Sequence, residues 1–260
     1  MARRLSKRKR PKREEKMDKR EDHLEEQVFD CETRLALAKL RQSWHFDSLE
    51  YPIAKGKEAI VFLAATKDGG RVAVKIYRID TSNFVKMHDY LDGDQRFAHT
   101  SRSRFETVVA WARKEYSNLK AFHEARAAVP VPFGFLRNIV VMEFFGVENI
   151  AFSPLAELGT EHAQRDYDFM LEQVKKIYQA GFVHSDVSEY NILVTDDGLK
   201  LLDCAQAVLL AHPRAEEFLR RDVGNLVRYF RKQGARNVDA ERALEWVKDG
   251  RPILKGLEAV

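Results

Sequence analysis

The chain of 260 residues lacks several features that would place it in a specialised class of protein. Its two cysteines, Cys31 and Cys204, are too few for a disulfide framework and cannot form a zinc site alone. No apolar run reaches the roughly 18 residues that a membrane helix needs. The polar and basic start does not resemble a secretory signal. We therefore expect a cytoplasmic protein with no membrane partner.

The composition is that of a globular protein, but its charge is unevenly distributed. Hydrophobic residues make up 45% and charged residues 32%, enough for a sizeable core in one large domain or two small ones. The first 20 residues hold eleven lysines and arginines against three acids, a net +8, whereas the whole chain carries +4. We predict a flexible basic tail over 1–23 that binds nucleic acid, and a second tail over 251–260. A merely solubilising tail, or one that binds an acidic membrane surface, is the alternative.

Hydrophobic periodicity predicts strands mainly in the first half of the chain and helices mainly in the second. We expect an N-terminal helix within 24–48, one lobe over 49–143 and a second lobe over 144–250, with a cleft near 142–146. The predicted elements are a helix over 24–43, strands over 58–65 and 71–77, a flexible loop over 80–102, a helix over 103–126, strands over 133–137 and 139–144, a helix over 164–180, a short hairpin over 192–202, and helices over 214–233 and 239–248.

Two motifs in the first half suit contact with phosphate groups. Gly56 begins the run Gly-Lys-Glu-Ala-Ile-Val, where glycine allows close backbone approach and a lysine adds positive potential. A plain turn before a strand would look the same. Lys75 lies between apolar residues in Val-Ala-Val-Lys-Ile, and an unpaired buried charge is costly. It therefore needs an anionic partner, unless it lies on an edge strand and points to solvent.

Two motifs in the second half carry carboxylates and an amide. Asp186 and Asn191 lie five residues apart in His-Ser-Asp-Val-Ser-Glu-Tyr-Asn, on a loop that follows a helix. A carboxylate can accept a hydroxyl proton there, and an amide oxygen can bind a hard cation such as Mg²⁺. Asp203 ends an apolar strand twelve residues after Asn191 and would be a second ligand. The alternative is that these loop acids only cap a turn.

The order of these motifs is that of a protein kinase, and the chain more closely resembles the type-one branch of the RIO family of atypical kinases. The resemblance covers about residues 50–235. The type-two branch carries an N-terminal winged-helix domain, for which the stretch before the first strand is too short, so the chain is most similar to compact archaeal members. The matching motifs are Gly56–Ala59, Val72–Arg78, Tyr90–Phe97, Met142–Phe144, His184–Asn191 and Asp203–Val208.

The resemblance implies an α+β, two-lobed, protein-kinase-like fold of RIO type. The N-lobe would contain an antiparallel sheet and one long helix, and the C-lobe would be mainly helical without a long activation segment. Lys75 would pair with Glu115 on the long helix, with Glu106 as the weaker candidate. The expected ATP-binding residues are Gly56, Lys57, Glu58, Ala59, Val61, Lys75, Met142, Glu143 and Phe145.

The resemblance also implies the roles of the carboxylates. Asp186 would be the catalytic residue, Asn191 and Asp203 would bind the metal, and Asp222 would support the catalytic loop. Two departures from the family pattern concern nucleotide affinity and turnover. Ala54-Lys55 replaces the usual Ser-Thr, and Ala205 stands where a glycine commonly occurs.

By resemblance, the protein would be an ATP-dependent Ser/Thr kinase or ATPase that acts in small ribosomal subunit maturation. Mg²⁺ would accompany ATP, with Mn²⁺ as a possible substitute. The partners would be the pre-small-subunit particle or rRNA, bound through the basic tail, and a protein substrate. One alternative is a small-molecule phosphotransferase of the aminoglycoside or choline kinase type, which would need a longer helical insert. Another is a kinase-shaped ribosome assembly factor with weak catalysis.

Overall fold

A computed structural model of the chain describes residues 30–43, 46–80 and 83–249. The tails predicted over 1–23 and 251–260, and the first residues of the helix predicted over 24–43, lie outside the described residues. In the described part of the chain, no helix combines the length and apolar character that crossing a membrane requires.

The described residues of the first half form an antiparallel sheet accompanied by helices. The elements are α1 (Cys31–Ser43), β1 (Phe46–Lys55), β2 (Ala59–Thr66), β3 (Arg71–Tyr77), α2 (Phe84–Leu91), α3 (Arg104–Glu124), β4 (Pro132–Leu136) and β5 (Ile139–Glu143). The five strands are arranged in the order β1-β2-β3-β5-β4, and all neighbouring pairs are antiparallel. Strand β3 therefore lies at the centre, between β2 and β5.

The alternation of side chains along β3 decides which face of the sheet each residue occupies. Val74 and Ile76 pack in one core with residues of α1, whereas Ala73 and Tyr77 belong to the other core, which includes α3. Lys75 therefore shares the α3 face with Ala73 and Tyr77. Because β3 is the central strand, the alternative of a solvent-facing edge lysine does not apply.

The helix α3 runs under this face and carries the predicted partner of Lys75. Ser103 caps its start by accepting the Glu106 N–H at 3.2 Å. The buried positions Val108, Trp111, Glu115 and Leu119 recur at three- and four-residue spacings, so one side of the helix faces the sheet.

The prediction of a flexible loop over 80–102 is wrong for the middle of that segment. Residues 84–91 form α2, which Asn83 caps by accepting the Lys86 N–H, and Gln95–Phe97 forms a 3₁₀ turn. Apolar side chains anchor the segment: Met87, Tyr90, Leu91 and Phe97 are buried. The helical repeat is short and lies among polar residues, so its hydrophobic pattern was too weak to be recognised.

Strand β1 was also not predicted. It begins at Phe46, inside the segment expected to hold only the N-terminal helix. Three register shifts interrupt its pairing with β2, and most of its side chains are exposed or half-buried. The strand therefore lacks the run of small and branched apolar residues that predicts β2 and β3.

The second half is mainly helical, with short two-stranded sheets. Residues 202–214 alone separate the strand Gly198–Leu201 from the helix Ala215–Lys232, and within them Val208–Leu209 pairs with Phe182–Val183. No long activation segment therefore lies here. The elements are β6 (Gly146–Val147), β7 (Ile150–Ala151), α4 (Leu155–Leu158), α5 (Ala163–Gln179), β8 (Phe182–Val183), β9 (Ile192–Thr195), β10 (Gly198–Leu201), β11 (Val208–Leu209), α6 (Ala215–Lys232) and α7 (Ala240–Lys248).

Candidate functional site

A cleft of about 590 Å³ lies between the sheet and the helical half. Most of the residues predicted to contact nucleotide or metal line it. Half-buried Asp186 and buried Asp222 are not among its lining residues, and Glu106 is exposed in the first turn of α3. The predicted residues that line the cleft are Gly56, Lys57, Glu58, Ala59, Val61, Lys75, Glu115, Met142, Glu143, Phe145, Asn191 and Asp203.

Lys75 lies between two carboxylates from opposite sides of the cleft. Its Nζ is 2.6 Å from Glu115 Oε1 and 3.1 Å from Asp203 Oδ1. The Tyr77 hydroxyl donates to Glu115 Oε2 at 2.6 Å. Glu115 is buried on α3, whereas 43% of the Asp203 side chain is exposed to the cleft. One ammonium group thus joins the sheet, α3 and the segment that follows β10.

The protonation of this cluster follows from its surroundings. Burial by itself would lower the pKa of Lys75, but Asp203 and Glu115 raise it above its usual value. Burial raises the pKa of Glu115, opposed by the Lys75 charge. Burial would also raise the pKa of Asp203, but Lys75 and hydrogen bonds hold it below the usual range. The cluster therefore keeps a charged lysine and an ionised Asp203 in the cleft.

The short hairpin β9–β10 brings Asn191 and Asp203 to the same end of the cleft. Ile192 pairs with Leu201, and the Leu202 N–H donates to the Asn191 carbonyl at 2.8 Å. Asp203 adopts a left-handed conformation, with φ of 56°, at the point where the chain leaves β10. An amide and a carboxylate thus meet beside Lys75.

Asp186 is fixed by two amide groups. Its Oδ2 accepts from Asn191 Nδ2 at 2.9 Å and from Gln206 Nε2 at 3.0 Å. Since the Asn191 NH₂ is committed to Asp186, its amide oxygen is the group left to face a cation. Burial, followed by the negative charge of Asp203, raises the pKa of Asp186 to about 6.

Helix α6 supports the loop around Asp186 through hydrogen bonds to its backbone. Asp222 accepts the backbone N–H groups of Ser185, at 2.7 Å, and Val187, at 3.0 Å. Ser185 has a φ of 66°, which the two bonds on either side of Asp186 help to maintain. Burial raises the pKa of Asp222 to about 7. Through these two bonds Asp222 contacts the backbone on both sides of Asp186.

The residues at the end of β5 and directly after it form another wall of the cleft. The Glu143 N–H donates to the Val131 carbonyl at 2.9 Å, and its carboxylate accepts the Val131 N–H at 3.1 Å. The Phe145 carbonyl accepts the Phe152 N–H at 3.0 Å. Glu143 can therefore offer a ligand its carbonyl oxygen, and Phe145 its N–H. Buried Met142 lies beside them at the end of β5.

The carboxylates and amides suit a hard cation that shares its ligands with a substrate. In the described residues, no group of three or more Asp, Glu, His or Cys side chains could hold a metal by itself. One carboxylate and one amide oxygen match the way Mg²⁺ is held in kinases, where protein ligands are few and phosphates and water complete the set. The residues present therefore fit a magnesium–nucleotide complex.

Sequence reasoning missed a buried polar network that supports the segment after Asp203. Asn118 Nδ2 donates to the carbonyls of Cys204, at 2.8 Å, and Ala207, at 3.2 Å. The buried Lys114 ammonium donates to the same Ala207 carbonyl. The available signal was the placement of Lys114 and Asn118 four residues apart beside Glu115, which puts both on the buried side of α3.

Asp94 connects this network to the 3₁₀ turn and should contribute strongly to stability. It is 1% exposed, accepts from Arg96 at 2.7 and 3.0 Å and lies 3.6 Å from Lys114 Nζ. Asp94→Ala would leave Lys114 buried without its carboxylate, so we expect unfolding in urea to require about 3–5 kcal/mol less. Asp92→Ala, which removes exposed ion pairs, should cost about 1 kcal/mol or less. Equal effects of the two variants would contradict this role.

Comparisons with known proteins agree with the geometry. A family model described as the RIO domain matches residues 60–243. The RIO-type serine/threonine-protein kinase Rio1 of Haloferax volcanii is 44% identical over 224 residues, which cover 86% of this chain and 77% of that protein. Human serine/threonine-protein kinase RIO1 is 32% identical over 238 residues, 89% of this chain and 42% of the human protein.

A solved structure supports the fold. The Rio2 kinase of Chaetomium thermophilum, crystallised as an ADP/Mg²⁺-phosphoaspartate complex, superimposes with a TM-score of 0.64 at 22% identity, covering 84% of this chain and 67% of that one. The two-lobed fold predicted from the resemblance is confirmed. The family match and the archaeal relatives settle the classification. The chain belongs to the RIO family of atypical serine/threonine-protein kinases.

Proposed function

We propose that this protein binds Mg-ATP in the cleft and transfers the γ-phosphoryl group to a serine or threonine hydroxyl, in small ribosomal subunit maturation. The observation that carries the chemical part is Lys75, held between Glu115 and Asp203 at 2.6 and 3.1 Å. An ammonium fixed in that way presents a positive charge where nucleotide phosphates would lie, and its position does not depend on the ligand.

The other cleft residues have separate parts in binding. Asn191 and Asp203 would hold the metal, which when bound would neutralise charge on the β- and γ-phosphates. The Glu143 carbonyl and the Phe145 N–H would bind the polar edge of the base. Gly56 donates its own N–H to the Ala59 carbonyl at 2.9 Å, which keeps the turn closed over the phosphates.

Asp186 would act on the substrate hydroxyl. Its Oδ2 already accepts two amide N–H groups, so the carboxylate is oriented before a substrate arrives. An ionised carboxylate can accept the hydroxyl proton as the phosphoryl group transfers. The backbone bonds from Ser185 and Val187 to Asp222 hold the residue in place without touching the reacting groups.

The pH dependence of turnover tests this role. Asp186 must be ionised to accept a proton, and its pKa is raised to about 6, so activity should be lost as the pH falls through 6 instead of through the ordinary range near 4. We expect kcat/KM for Mg-ATP turnover to fall about tenfold per pH unit below that point. Gln206→Ala removes a donor to the carboxylate and should shift the acid limb to higher pH. A profile with no acid limb above about pH 5 would contradict the assignment.

The ribosomal part of the proposal is supported by the family and by the charge of residues 1–20. Deleting these residues should leave ATP turnover nearly unchanged, since they contain none of the cleft residues. Binding to small-subunit rRNA should weaken. If four of the basic residues reach phosphates, the slope of log affinity against log salt should flatten by roughly 3. Truncated and full chains with the same affinity and the same slope would show that the tail does not bind the RNA.

A further inference from the structure

A second cleft, of about 640 Å³, runs along α6 and is basic. Four of its lining side chains are cationic and none of its described lining residues is acidic. We call it the α6 cleft. Its lining residues are Arg221, Gly224, Asn225, Val227, Arg228, Arg231, Lys232 and Ala240.

The cations of the α6 cleft differ from their neighbours in lacking carboxylate partners. Nearby Arg214 pairs with Glu217 at 2.8 Å, and Arg220 pairs with Glu216 at 3.0 Å. Within the described part of the chain, none of the four cleft cations forms a salt bridge with a carboxylate, although all four are exposed. The Arg221 charge also opposes the rise in the pKa of Asp186 and of Asp222. The positive potential available to an anion in the groove therefore comes mainly from Arg228, Arg231 and Lys232.

The α6 cleft adjoins the loop that carries Asp186. Arg221 donates to the Ser185 carbonyl, and Asn225 Nδ2 donates to the Val187 carbonyl at 2.9 Å. These carbonyls belong to the residues on either side of Asp186. A peptide whose hydroxyl reaches Asp186 would therefore place the residues that flank its serine or threonine beside the α6 cleft.

We propose that the α6 cleft binds acidic residues that flank the phosphorylated serine or threonine of a protein substrate. The proposal rests on the proposed kinase function and names the class of substrate. From Arg221 to Lys232 the helix rises about 16 Å, the length of roughly five residues of extended peptide. The floor is open, since a Cβ placed on Gly224 would have no atom within 4 Å. The lining contains no aromatic side chain on which nucleic acid bases could stack, which favours a peptide over single-stranded RNA.

The test compares two fluorescein-labelled peptides, each with a central serine, flanked either by glutamates or by glutamines. Binding to the full chain is measured by fluorescence anisotropy at low salt, with Mg-ATP replaced by Mg-ADP. We expect the wild type to bind the glutamate peptide at least about tenfold more tightly. Arg228→Ala combined with Lys232→Ala should abolish this preference, and the loss of folding should be small, because both side chains are exposed and Arg228 donates to Asn225 within the same helix. Arg220→Ala, an adjacent but paired cation, should retain it.

Charge reversal provides a result that loss of folding could not produce. Arg228→Glu combined with Lys232→Glu should reverse the preference towards a lysine-flanked peptide. Equal binding of the glutamate and glutamine peptides to the wild type would overturn the proposal. The proposal would also be overturned if binding of a uridine oligonucleotide depended on Arg228 and Lys232 and binding of the peptides did not. The two proposals can fail separately. A glutamate preference that requires both cations would support peptide binding in the α6 cleft, and the absence of phosphoryl transfer in the same preparation would contradict the proposed kinase function.

Discussion

Replacing Asp186 by alanine should reduce phosphoryl transfer by about 10²–10⁴-fold and change Mg-ATP affinity little. The carboxylate is not among the residues that line the cleft and is held by Asn191 and Gln206, which favours a role toward the acceptor over one in nucleotide binding. In the proposed role Asp186 accepts the hydroxyl proton, so its loss should remove an interaction of the transition state and leave nucleotide binding intact.

Turnover and nucleotide affinity should be measured on the same preparation. Asp197→Ala is a suitable control, because Asp197 is an exposed carboxylate in the turn between β9 and β10. It should match the wild type in both measurements. If Asp186→Ala loses nucleotide affinity and turnover to the same degree, the residue binds the nucleotide and its catalytic role is wrong.

Removing either member of the buried pair Lys75 and Glu115 should destabilise the protein strongly. Among the described residues, Lys75→Met leaves buried Glu115 with the Tyr77 hydroxyl as its side-chain donor, and Glu115→Gln leaves Asp203 as the remaining carboxylate beside the ammonium. Breaking a buried pair on one side costs about 3–5 kcal/mol. Turnover should fall with each change, because Lys75 loses its fixed position. The double variant should lose less than the sum of the two.

A double-mutant cycle measures this coupling directly. We expect an interaction energy between about 1 and 3 kcal/mol, from unfolding in urea and from turnover. Glu106→Gln provides the control, since Glu106 is exposed at the start of α3 and should not couple to Lys75. Additive losses for Lys75 and Glu115 would mean that their contact contributes nothing to the folded protein.

The parts of the site that could be predicted are those in which one residue conflicts with its surroundings. Lys75 stood out as a charge inside an apolar strand, and burial required an acid to be near it. The choice of Glu115 as that acid is implied by the resemblance to the RIO family, and the structure explains it, since Lys75 lies on the α3 face of the sheet. Asp203 stood out in a similar way, at the end of an apolar strand. These residues can be found from local sequence, whereas their roles depend on the resemblance.

The parts that could not be predicted depend on contacts between distant segments. Asn118 lies 86 residues from the Cys204 carbonyl to which it donates, and an asparagine on a helix gives no sign of such a partner. The anchors of α2 are few, and three of them, Met87, Tyr90 and Leu91, lie in an eight-residue helix, too short for periodicity to exceed the polar background. Strand β1 is held by pairing with β2 and by its buried end at Phe46, and not by an apolar repeat.

Calorimetric titration of ATP into the full chain, with Mg²⁺ or with a chelator, tests the central claim most directly. The account predicts one binding site per chain, with an affinity at least about tenfold higher when Mg²⁺ is present, equivalent to about 1.4 kcal/mol. Asp203→Ala should remove most of this dependence on Mg²⁺, because it takes a charged ligand from the cation. Equal ATP affinity with and without Mg²⁺, or an unchanged Mg²⁺ dependence in Asp203→Ala, would contradict the placement of Mg-ATP between Lys75, Asn191 and Asp203.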